Sequence, residues 1–98
     1  MKNGFYRYTD NGVPGGGYVI LKVTETERSY IFKLIENMCR YEPTRLLNLF
    51  KKNDKAIIKK KNSGHPVMEY STGFVIYPYQ HGIPYLFEYI EGYTERKA

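Results

Sequence analysis

Tryptophan is missing from this 98-residue chain, cysteine occurs once, at Cys39, and histidine twice, at His65 and His81. A lone cysteine cannot close an internal disulfide, which fits a reducing cytoplasm. Without CxxC, HExxH or a carboxylate cluster of recognised spacing, neither a metal nor another cofactor is expected. Apolar runs stop at four or five residues, far short of a bilayer span. Met1-Lys2-Asn3-Gly4-Phe5 has no apolar leader core, so neither secretion nor a membrane partner is expected, and the expected location is cytoplasmic. Carboxylates are scattered. Glu88 and Glu91, three positions apart, should face opposite ways in or just beyond a strand and so make no glycosidase pair. No Ser-His-Asp pattern can be placed.

What the chain has in excess is lysine in one window and tyrosine throughout. The net charge is +5. Residues 51–62 hold six lysines against one aspartate, and the acidic residues of 63–98 offset the small excess of 1–50. Charge focused this way attracts a polyanion or an acidic protein face. It also serves as a solvated edge that resists aggregation. Eleven tyrosines accompany five phenylalanines. A tyrosine ring with a polar tip suits a half-buried sheet, and where exposed it offers a face on which a base can stack.

The hydropathy pattern changes period along the chain. Residues 5–9 and 18–24 read as two strands of a hairpin, joined by the turn-rich segment Asp10 to Gly17, with Val19, Leu21 and Val23 on one face. Thr24 and Glu27 have capping-box spacing, and Ile31, Leu34, Ile35 and Met38 fall at helical offsets, which predicts a helix over 28–41 carrying Cys39. Pro43 suits the start of a second short helix with Leu46, Leu47, Leu49 and Phe50 on its apolar side. Residues 55–61 and 66–71 read as a hairpin, 74–77 as a central buried strand, 85–90 as the closing strand and 91–98 as a fraying tail. The order ββααβββ predicts a single α+β domain over 1–98. Its antiparallel sheet would have about five strands, with one long and one short helix on one face.

The glycine-rich segment Gly12 to Gly17 precedes a strand rather than a helix, so it lacks the geometry of a phosphate loop. The expected binding surface is therefore the basic window: Lys51, Lys52, Lys55, Lys59, Lys60 and Lys61, with Tyr70, Tyr77 and Tyr79 as stacking rings. Lysines supply charge to phosphates without reading sequence, and Arg7, Arg28, Arg40 and Arg45 are too dispersed for bidentate base readout. The leading expectation is a small non-enzymatic nucleic-acid-binding protein. A second is an inhibitor or adaptor that docks on an acidic or nucleic-acid-binding surface of a partner protein. In size, charge and tyrosine content the chain is similar to small accessory proteins of phages and mobile elements. A third is a metal-independent ribonuclease, with His65 as the catalytic candidate brought near Lys59, Lys60 and Lys61 by the 55–71 hairpin. An open sheet edge would also permit a homodimer.

Overall fold

A computed structural model describes residues 1–9, 16–39, 44–50, 53–61, 67–77 and 84–94. The strands are β1 (Gly4–Thr9), β2 (Tyr18–Glu25), β3 (Ser29–Asn37), β4 (Lys55–Lys59), β5 (Val67–Glu69), β6 (Gly73–Ile76) and β7 (Tyr85–Ile90). They form one seven-stranded sheet in the order β4-β3-β2-β1-β7-β6-β5, and every pairing is antiparallel. The expected α+β architecture is thus replaced by an almost entirely β one. Helical structure among the described residues is one turn, α1 (Thr44–Leu47), continued by a 3-10 turn (Asn48–Phe50).

The predicted long helix is strand β3. Tyr30, Phe32 and Leu34 alternate into the core, opposite Glu25, Val23 and Leu21 of β2. A register shift follows. Leu34 pairs with Leu21, but Glu36 pairs with Ile20, so Ile35 is the extra residue of a bulge. That insertion sets Leu34 and Ile35 side by side and imitates the i, i+3, i+4 spacing of a helix. Thr24, expected to cap that helix with Glu27, lies within β2 opposite Ile31, and the residue that organises the turn is Thr26. It closes the β2–β3 hairpin: its Oγ1 accepts from the Ser29 amide at 2.9 Å, and its own amide donates to the Ser29 carbonyl at 2.8 Å.

The sheet curls into a half-barrel. Four inter-strand steps separate β3 from β6, about 19 Å if the sheet were flat. Yet the rings of Phe32 and Phe74, one on each strand, have centroids 5.3 Å apart. The concave side holds the core: Val19, Leu21, Val23, Phe32, Phe74, Ile76 and Phe87, with Leu46 and Phe50 of the helical segment packed against it. Tyr6 and Tyr30 are buried there, and Tyr8, Tyr85 and Tyr89 pack on its margin. Most of the tyrosines whose surroundings are described therefore pack in or against the core of the sheet.

The 55–71 hairpin does not form. β4 and β5 lie at opposite edges of the sheet, and β4 pairs with β3 while β5 pairs with β6. The curl brings the two edges back toward each other, where side chains join them. Lys60 Nζ and the N-terminal ammonium of Met1 both bond the Glu25 carboxylate; the same ammonium lies 2.8 Å from Glu69 Oε1. The Tyr30 hydroxyl donates to Glu69 Oε2 at 2.6 Å.

The central strand expected at 74–77 is β6, Gly73–Ile76, which is buried throughout but lies next to the edge strand β5. Part of the tail is anchored. The Tyr93 ring packs on Phe5 of β1 at 4.7 Å between centroids, and its hydroxyl donates to Glu36 Oε2 of β3 at 2.9 Å. The side chain thus bridges β2 on the convex face, where Ile20 is only 4% exposed.

Candidate polyanion interface

Strict alternation in β4 decides which lysines share a face. Ala56 and Ile58 turn into the core, and Lys55, Ile57 and Lys59 turn outward. The register then carries this outward row across neighbouring strands. Lys55 lies opposite Lys33, and Lys33 lies opposite Lys22, so three ammonium-bearing residues stand side by side on β4, β3 and β2. The next outward row is Ile57, Ile31 and Thr24, and the one after it pairs Lys59 with Ser29. None of these rows contains a carboxylate. Among the described residues no ion pair takes Lys22, Lys33, Lys55 or Lys59. Between the cationic rows Ile57 is 66% exposed.

Lys60 behaves differently from its neighbours. It turns toward Glu25 and holds its ammonium 5.2 Å from the centre of the Tyr30 ring. The bond from Lys60, then that from the Met1 ammonium, holds the Glu25 carboxyl below its usual range. Glu69 is lowered by the Met1 ammonium and next by the Tyr30 hydroxyl. Burial, followed by the Glu69 carboxylate, keeps the Tyr30 phenol protonated well above the usual tyrosine range. Lys60 thus belongs to the closure of the half-barrel. Lys61 is exposed just beyond the strand.

The expected site therefore divides. Lys55 and Lys59 share the outward face, Lys60 is committed to Glu25, and Lys51, Lys52, Tyr79, His65 and His81 lie outside the described residues. Tyr77 is partly buried beyond the end of β6. Tyr70 is 52% exposed in the β5–β6 turn, where it lines a cleft at the end of the sheet. Lys22 and Lys33 were not anticipated. They are distant in sequence from the lysine run, and only the β2–β3–β4 register brings them to Lys55. The alternating pattern of β2, which put Lys22 opposite in facing to Leu21 and Val23, was the available signal for the first of them.

Cys39 follows β3 and lies on no helix. No helix among the described residues is long and apolar enough to cross a membrane. Comparison with protein-family models, curated proteins and solved structures found no match, so the similarity to phage and mobile-element accessory proteins gains no support from them.

Proposed function

We propose that the outward lysine rows of β2, β3 and β4 bind the phosphate backbone of single-stranded nucleic acid. The observation that carries this reading is the lateral register of Lys22, Lys33 and Lys55. Like charges directly opposite one another destabilise a sheet, and an alternating-sign row would support it. A lysine row is therefore a cost to the fold that a polyanion would relieve. The exposed Ile57 between cationic rows favours a single strand, whose bases and sugars are free to lie on it. With no arginine on these rows, the contacts would be electrostatic and tolerant of sequence.

Binding of a fluorescent oligonucleotide across a salt series tests the reading. Contacts from Lys22, Lys33, Lys55 and Lys59 predict a slope of log K against log salt of roughly −3. Lys33→Gln should make that slope shallower by about 0.7 while raising the stability of the fold by a few tenths of a kcal/mol, on the order of one like-charge cross-strand contact. No retention at low salt, or a slope untouched by Lys33→Gln, sinks the proposal. Retention of a protein partner that survives nuclease treatment, with no direct affinity for the oligonucleotide, would instead favour the adaptor reading.

A further inference from the structure

The register gathers five segments of the chain at one end of the half-barrel. Gly4 opposite Val23, Ser29 opposite Lys59, Phe5 opposite Ile90 and Gly73 opposite Glu88 put the N-terminus, the β2–β3 turn, the exit of β4, the β5–β6 turn and the end of β7 together. Here a cleft of about 430 Å³ opens between the N-terminal residues, the β5–β6 turn and the end of β7. That volume lies within the range of small-molecule sites.

Its lining has a consistent chemistry. Tyr70 presents an exposed ring, its hydroxyl turned to Met68 Sδ at 3.3 Å. Lys2 holds its ammonium 4.4 Å from the centre of the Tyr89 ring, so Tyr89 positions a cation. Tyr6 fixes that segment by donating its hydroxyl to the Lys2 carbonyl at 2.6 Å. Thr72 adds a hydroxyl, and Glu91 adds a carboxylate that can accept from an exocyclic amine. An open aromatic face, a positioned ammonium and hydrogen-bonding groups around them match a nucleobase attached to a phosphate.

The cleft also adjoins the basic edge. Met1 lines it, and the Met1 ammonium shares the Glu25 carboxylate with Lys60, whose neighbours Lys59 and Lys61 are exposed. We propose that the cleft receives one unpaired nucleotide, its base on Tyr70 and its phosphate at Lys2. The nucleotide would be supplied by a strand lying on the lysine rows or as a free mononucleotide. The strand-borne form rests on the function proposed above; the free form does not.

Three probes separate the possibilities: adenosine monophosphate, a short single-stranded oligodeoxyadenylate, and linear polyphosphate, which has charge but no base. Adenosine monophosphate should shift the amide resonances of Lys2, Thr72 and Tyr89. Tyr70→Ala should weaken the mononucleotide and the oligonucleotide about tenfold, the loss of one stacked base, and leave polyphosphate binding unchanged. Tyr70 is exposed and outside the core, so the variant should keep its fold; Lys2→Gln, also at the surface, provides an independent check on the phosphate contact.

Lys33→Gln should weaken the oligonucleotide and polyphosphate and leave the mononucleotide alone. If the mononucleotide shifts none of those resonances and Tyr70→Ala binds the oligonucleotide as the parent does, the cleft proposal is overturned even where the lysine variant is impaired. If the mononucleotide binds but Lys33→Gln changes nothing, the lysine-row reading fails and the cleft stands as a site for free nucleotide. If the oligonucleotide binds through lysines without shifting the cleft resonances, the strand-borne form is overturned.

Discussion

Tyr30 on β3 and Glu69 on β5 are joined by a hydrogen bond of 2.6 Å, although their strands stand second and last in the sheet order. The bond is a direct consequence of the curl, and it links the two margins of the sheet where no backbone ladder does. Tyr30→Phe keeps the ring against Phe32 and removes only the hydroxyl. The expected cost is about 1 kcal/mol, less than for a buried bond to a charged group because Glu69 is partly solvated. A lowered urea midpoint checks the size. Faster hydrogen exchange in Val67–Glu69 than in β2 checks that the loss is felt at the β5 edge; a uniform change would contradict this account of closure.

The same cluster sets an acid limit on stability. Glu25 and Glu69 both have folded-state pKa values below the ordinary 4.5. Their contribution is fully present above that value and is lost as the pH falls through the lowered folded values. Urea midpoints measured from neutral pH downward should hold until roughly pH 4.5 and then decline. Glu25→Gln should be less stable at neutral pH and show a shallower acid decline. An acid decline identical to that of the parent would mean that the Lys60 and Met1 contacts do not hold Glu25 ionised in solution.

Two glycines separate lack of space from backbone conformation. A Cβ at Gly73 would sit 1.9 Å from the Phe87 carbonyl oxygen, at the Gly73–Glu88 end of the β6–β7 pairing. A Cβ at Gly92 would meet nothing within 4 Å, but its φ of +70° lies in the left-handed region. Gly73→Ala should therefore cost roughly 3 kcal/mol through displacement of packed backbone. Gly92→Ala should cost about 1 kcal/mol through conformation alone. Thermal unfolding of the two variants tests the order; equal losses would show that β6 can shift away from Phe87 without consequence.

Much of the strand pattern was legible because burial follows period two. Val19, Leu21 and Val23 share the inward face the alternation assigns them, and β4 alternates cleanly through Ala56 and Ile58. The β3 error has a local physical source in the bulge at Ile35, since a single inserted residue converts alternation into a helical spacing. Tyr30, Ile31, Phe32 and Ile35 are aromatic or β-branched, a composition that suits a strand and that the helical spacing masks. The lysine row could not be read from the chain alone. Lys22, Lys33 and Lys55 become neighbours only through the pairing of three strands. Residues 55–71 form no hairpin because β4 adds to β3 and β5 to β6, so strands adjacent in sequence occupy opposite edges of the curled sheet.

Adjacent residues of the lysine run should consequently give opposite phenotypes. Lys60 is bound to Glu25 and lies over Tyr30, so Lys60→Gln removes a bond inside the closure cluster. It should lower stability, by about 1 kcal/mol for a partly exposed pair, with a smaller effect on oligonucleotide affinity than on the fold. Lys59 projects from the outward face opposite Ser29 and has no ion-pair partner among the described residues. Lys59→Gln should leave the urea midpoint near that of the parent and make the salt slope shallower by about 0.7. Measuring both quantities on both variants distinguishes a directed face from a diffuse basic patch. If the two substitutions reduce affinity equally and neither alters stability, the run acts as undifferentiated charge, and the alternation of β4 has no bearing on binding.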